Sequence, residues 1–245
     1  MRLPTSLPRT RPRRWVAALA ASWVVGAWGR TTAADPALTA PEPESGVRTH
    51  DGLYLRFASG FGVYDELARS EDVERFDGRL RIKARGFAAV RELAVGGTPY
   101  PGLVIGGGIY GVAVVTSSVT TNRDDQEIEL SRDVAPESRD LSIIGVFVDR
   151  YFVPALGLHV QAALGLANQY GVRVDGEPFN QGEYSPFGPG GLIGLGYETW
   201  VTDQWSLGVL ARFGASVMFG KDAQGTRWVH YVTNAPSFLM TVTYH

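Results

Sequence analysis

At 245 residues with 30 glycines and no cysteine, the chain has room for one large all-β domain or two small ones, and disulfides, thiolate metal sites and an acylated N-terminal cysteine are excluded. Its formal net charge is −2. The first 34 residues hold six arginines and no acids, so their removal leaves 17 bases against 25 acids and a net charge of −8, which argues against nucleic-acid binding.

The chain opens with Arg2, Arg9, Arg11, Arg13 and Arg14, then the apolar run Trp15 to Gly29, then Arg30 and the small residues Thr31 to Ala34. A basic region, an apolar core and a small-residue exit predict a cleaved signal peptide over 1–34. The run is shorter than the ~20 apolar residues that span a membrane as a helix. Residues 35–50, with three prolines, read as a flexible periplasmic leader.

From Leu53 the pattern changes to a period of two: Leu53, Leu55, Phe57, Phe61 and Val63 alternate with Tyr54, Arg56, Ala58, Gly60 and Gly62. That is a strand with one apolar face. Asp65–Arg79 reads as a solvated loop. A second strand covers about Ile82 to Val95; the face carrying Leu93 and Val95 also carries Arg91 unless a bulge intervenes. Gly96 to Gly102 predicts a tight turn. The third strand sets Leu103, Ile105, Ile109, Ala113 and Val115 against Gly106, Gly108 and Tyr110.

Ser117–Asp140 is a long polar interval whose acids, among them Asp124, Asp125, Glu127, Glu129, Asp133 and Glu137, match no defined calcium-loop spacing. Leu141 to Tyr151 is the fourth strand, followed by a short turn. The fifth places Leu158, Val160, Ala162, Leu164 and Leu166 against His159, Gln161, Ala163 and Gly165. Asn168–Gly190 reads as a loop, Ile193 to Trp200 as the sixth strand and Val201 to Gln204 as a turn. Trp205 to Gly220 alternates for about sixteen residues, far beyond the usual five or six, with aromatics at both ends of its apolar face and Arg212 in the middle of the other. After a loop over Lys221–His230, the eighth strand runs to the C-terminus.

Connections after the odd strands are long and polar, and those after the even strands are short, the asymmetry of external loops and periplasmic turns. Alternation alone fits a soluble lipocalin-like barrel equally well. The non-apolar faces decide: they hold Gly, Ala and Ser rather than the many charges of a wetted surface, so they line a small filled lumen. Tyr64, Tyr151, Phe152, Trp200, Trp205 and Phe219, near strand ends, fit interfacial girdles.

The export signal, the eight alternating strands, the loop asymmetry and the final Val-Thr-Tyr-His resemble the OmpA/OmpX-type eight-stranded outer-membrane barrels over residues 51–245. The family's usual final aromatic is here followed by His245. The resemblance implies an antiparallel up-and-down transmembrane β-barrel in the outer membrane. It also implies membrane lipids and the barrel-assembly machinery as partners.

Arg56, Glu92, Tyr110, His159, Gln161, Glu198 and Arg212 fall on the lumen face and predict a polar network that fills it, with Arg212 paired to Glu198 of the adjacent strand. The alternatives are a narrow ion pathway along that lining and a lipid-modifying enzyme. The enzyme would need a nucleophile and a base, for which His159 or His230 with Ser185 or Ser216 are the candidates. No cofactor or metal motif is present. Tyr184, Phe187 and Trp228 are candidate loop contacts for an extracellular ligand. The overall expectation is a monomeric structural or surface-interaction barrel with no open pore.

Overall fold

The computed structural model describes residues 50, 52–70, 80–123, 126–128, 140–153, 157–170, 173–174, 177–178, 185–221 and 228–245. The proposed signal peptide, Tyr184 and most of the leader lie outside them. Eight strands form the wall: β1 Gly52–Ser70, β2 Leu80–Tyr100, β3 Leu103–Arg123, β4 Asp140–Tyr151, β5 Leu158–Tyr170, β6 Phe187–Trp200, β7 Trp205–Lys221 and β8 Trp228–Tyr244. Each pairs antiparallel with its sequence neighbours, and β8 closes on β1. The three residues Gln126–Ile128 extend β3 as an added edge, and Arg173–Val174 pairs with Glu177–Pro178 in a separate small ladder. Among the described residues there is no helix.

The register fixes the geometry of the ring. A row of paired residues that starts at Arg56 passes through Ala94, Gly108, Gly145, Gly165, Gly190, Ser216 and Thr233 and returns to β1 at Glu66, ten residues above its start. With a rise of about 3.3 Å and a strand spacing of about 4.8 Å, eight strands and that stagger give a tilt of about 41° and a radius of about 8 Å. Each residue then climbs about 2.5 Å along the axis. Such a ring is just wide enough to be filled by side chains.

The period of two survives in burial. On β7, Leu207, Val209, Phe213, Val217 and Phe219 are exposed outside while Ser206, Leu210, Arg212, Ser216 and Met218 are buried inside. Leu53, Phe57 and Phe61 on β1, Ile144, Val146 and Val148 on β4, and Leu164 and Leu166 on β5 continue the same apolar belt around the ring. Leu164 is 73% exposed, more than any packed leucine would be.

Several boundaries differ from the sequence expectation. The stretch Asp65 to Ser70 is strand, as are Leu80 to Arg85 and Ser117 to Arg123, so the long hairpins rise well past the belt. Their charges alternate with inward residues, a period-two pattern in which polar side chains face water. Gly96 to Tyr100 also stays in β2, and the turn is confined to Pro101 and Gly102, whose φ of 73° suits glycine. Phe187 opens β6 and Trp228 opens β8, so both belong to the wall rather than to loops. Arg91 does face outward with Leu93 and Val95; the register shift falls higher, where Phe87 meets Thr116 and Ala88 meets Val114. Its neighbours across the strands are Ser59 and Gly111. Tyr64 and Tyr151, expected in the girdle, point into the lumen and are at most 1% exposed, because they share parity with Arg56 and Asp149.

Candidate functional site

The only concentration of buried chemistry among the described residues is the lumen. Four carboxylates, Glu66, Glu92, Asp149 and Glu198, and two arginines, Arg56 and Arg212, are buried there with His50, His159 and His245. They are arranged in storeys whose heights follow from the stagger.

The lowest storey centres on Glu198. Its Oε1 accepts hydrogen bonds from Thr243 Oγ1 at 2.8 Å and Thr241 Oγ1 at 3.3 Å; its Oε2 accepts from Ser206 Oγ at 2.8 Å and Tyr151 Oη at 3.2 Å. The His245 Nε2 lies 3.4 Å from the same Oε2. Gly208 makes this crowding feasible, since a Cβ there would lie 2.6 Å from Glu198 Cγ. Beneath it, His50 stacks on Tyr151 with ring centroids 3.6 Å apart and meets His245 edge-on at 4.3 Å, with Trp200 4.9 Å away. The His50 carbonyl accepts from Gly102 N at 3.2 Å, and the His245 amide donates to Gln204 O at 2.9 Å, so two turns hold this plug in place. Burial, reinforced by His245, pushes the His50 imidazole down to about 3.

One step higher, Arg56 donates through Nη2 to Asp149 Oδ2, which also accepts from Tyr54 Oη at 3.3 Å. Arg56 Nη1 and Nε stand 3.7 Å from Glu92 Oε1 and Glu198 Oε1, so this guanidinium is central to three carboxylates. His159 Nδ1 is 3.2 Å from Asp149 Oδ1. The ring of His159 lies over Gly196, where any Cβ would overlap it. About 8–11 Å above Arg56, Glu92 Oε2 accepts from Arg212 Nη1 at 2.8 Å and Glu92 Oε1 from Gln161 Nε2 at 2.8 Å. The Arg212 guanidinium lies 5.6 Å from the centre of the Tyr110 ring.

All seven residues chosen from sequence are thus buried inside the ring, joined directly or through Asp149, with Tyr110 in ring contact with Arg212. The pairing of Arg212 with Glu198 is corrected. Arg212 sits opposite Gly194, and Glu198 is four residues, about 13 Å, along β6 from that point. The partner is Glu92 from the far wall. Sequence reading missed Asp149, Glu66, Ser206, His50 and His245. Asp149 shares parity with Phe147 and opposes Ile144, Val146 and Val148, a signal strand four did contain.

Val90, Val112, Ile143, Ala167 and Ala235 form an apolar storey about 12–18 Å above Arg56. Above it lies a separate polar cluster: Glu66 Oε2 accepts from Tyr64 Oη at 2.6 Å and Gln169 Nε2 at 2.5 Å, and the Ser216 and Thr233 hydroxyls bond at 2.6 Å. Ser216 and His159 therefore stand on opposite sides of the apolar storey. His159 is near the turn end of β5, and His230 lies in β8, not in a loop. The closest serine–histidine contact among those described, Ser206 Oγ to His245 Nε2 at 3.3 Å, is no nucleophile–base relay. The hydroxyl proton goes to Glu198, and that carboxylate faces the same imidazole nitrogen.

No family model and no curated protein matches the chain. Among solved structures, that of the outer membrane protein OprG from Pseudomonas aeruginosa is similar, with a TM-score of 0.45 and 8% identity over 81% of this chain and 99% of that one. Strand number and up-and-down order are those of the OmpA/OmpX-type barrels the sequence resembles.

Proposed function

We propose that the chain is an outer-membrane β-barrel that conducts no ions and serves as a rigid wall element whose long-loop end meets the surroundings. The observation that carries this is the inversion of the ring: exposed leucines, isoleucines and phenylalanines outside, arginines and carboxylates inside. In water such a surface would aggregate, whereas in hydrocarbon it is the stable solution. The exposed Trp205, Phe152 and Tyr100 at the short-turn end and Phe187, Phe219 and Tyr170 at the other match two interfacial girdles.

The short-turn end is stoppered by His50, Tyr151 and His245, and the apolar storey interrupts any file of polar groups through the lumen. The barrel acts as a monomer among membrane lipids after insertion by the assembly machinery, and a structural or adhesive role falls to the loops. Phe187 and Trp228 serve the upper girdle rather than a ligand; they flank a hollow with Leu166, Pro189, Phe219 and His230.

Membrane fractionation with gel mobility tests the location: the folded form is expected in the outer-membrane fraction and shifts on boiling, and a periplasmic protein with no shift refutes it. Planar-bilayer recording tests the closed lumen, and steady large conductance from pure protein would overturn that part alone.

A further inference from the structure

From the level of the upper girdle upward, β1 and β2 carry outward Arg85, Lys83, Arg69 and Arg81, all exposed. The register sets Arg69 directly opposite Arg81, and Leu67 opposite Lys83. Like charges facing each other across an antiparallel pair are destabilising, and among the described side chains no carboxylate is paired with Arg69, Arg81 or Lys83. Among the described side chains on the outer face of β1–β3, the one acid is Asp65, and it is engaged lower down by Arg85 Nε at 3.2 Å. Beside Lys83 and Arg85 the wall forms a hollow of about 460 Å³ that Asp65 also lines, with Thr120 as a hydroxyl donor at its edge, while the Ser118 hydroxyl donates to the Arg85 carbonyl at 3.3 Å. Below lies an apolar platform, Phe61 against Phe87 at 6.1 Å and against Phe238 at 6.4 Å. By the stagger, Arg85 and Lys83 stand about 5–10 Å above Phe87, the height of a headgroup over its acyl chains.

We propose that this face of β1–β3 binds a phosphorylated, multiply acylated lipid of the outer leaflet. Arg69, Arg81 and Lys83 hold its phosphates, Thr120 donates to its headgroup, and its chains lie along Phe61, Phe87 and Phe238. The cations are spread over two strands and about 7 Å of strand length, which suits a headgroup with two phosphates rather than one. This rests on the membrane reading above.

Folded protein in a neutral detergent, doped with a bisphosphorylated glucosamine-based lipid, is the sample for native mass spectrometry. Parallel samples contain the same lipid without phosphates, inorganic phosphate alone, and phosphatidylcholine. The bisphosphorylated lipid is expected to remain bound, with occupancy falling at least tenfold in Arg69→Gln/Arg81→Gln/Lys83→Gln, while inorganic phosphate gives no adduct at equal concentration. Equal retention of the dephosphorylated lipid, unchanged occupancy in the triple variant, or equal binding of free phosphate each overturns the site. The substituted side chains are exposed, so the variant keeps the heat-shifted gel band that certifies the folded barrel. A wild type lacking that band, and refusing to enter phosphatidylcholine vesicles, would refute the membrane reading and with it the site; a wild type that inserts but does not discriminate refutes the site alone.

Discussion

Arg212→Met tests the lumen network most directly. Arg212 Nη1 is 2.8 Å from Glu92 Oε2, and the two side chains are 3% and 0% exposed. Removing the guanidinium leaves a buried carboxylate that still accepts from Gln161 at 2.8 Å and still has Arg56 at 3.7 Å. At an effective dielectric of about 20, the lost attraction is about 6 kcal/mol and the one retained from Arg56 about 4–5 kcal/mol. The residual cation therefore softens the loss, and the net cost is expected at the lower end of the range for breaking a buried pair, about 3 kcal/mol. Urea unfolding of the barrel in lipid vesicles, followed by tryptophan fluorescence and by the gel shift, measures it. Glu92→Gln is expected to cost a similar amount, and the double variant to fall short of the sum by about 1.5 kcal/mol or more, the signature of direct coupling. Coupling of Arg212 to Glu198 should be much smaller, since the two lie about 13 Å apart along the wall. Additive costs for Arg212 and Glu92, or an Arg212→Met cost below about 0.5 kcal/mol, would refute the network as described.

The His50 plug makes stability depend on pH. An unfolded histidine takes a proton near 6.5 while the folded one resists to about 3, so between these values the unfolded state binds more protons and stability falls as pH drops. Full stability from this group is present above 6.5. His50→Phe keeps the stack on Tyr151 without the titration, and its unfolding midpoint should fall less steeply between pH 6.5 and 4 than the wild type's; equal slopes would show that His50 is not held neutral. The neighbours Glu198, Asp149, His159 and His245 are the same in both proteins, so the difference isolates His50. Gly196→Ala is expected to destabilise by about 1–3 kcal/mol, because its methyl would overlap the His159 ring. Gly111→Ala, where a Cβ meets nothing within 4 Å, is its matched control in chemical denaturation, and equal costs at the two sites would remove the packing explanation.

The wall was legible because lipid-facing and lumen-facing residues obey one parity over long stretches, as on β7. Legibility ended where both faces became polar: Asp65 to Ser70 and Leu80 to Arg85 keep the period, but outward charge there resembles a loop. The seven lumen residues were found by parity alone. Their partners were not, because pairing across an eight-stranded ring depends on the stagger, which no single strand contains; the row from Glu92 through Ala58 and Thr241 meets β7 at Gly208, four residues from Arg212. Tyr64 and Tyr151 were misplaced because position near a strand end was weighed above parity. His245 shares the parity of Thr241 and Thr243, and His50 that of Tyr54 and Arg56, but both lie just outside the first and last strands.

That location gives the plug a place in time as well as in space. The slot around His50 is made of Tyr151 and Trp200 from β4 and β6 and of His245 just past β8, so it is complete only after β8 has zipped onto β1. Hairpins can form earlier with this imidazole still open to reagents. Its protection from a histidine-modifying reagent therefore times the closing of the seam separately from the growth of the sheet, and the chain carries at residue 50 its own indicator of finished assembly.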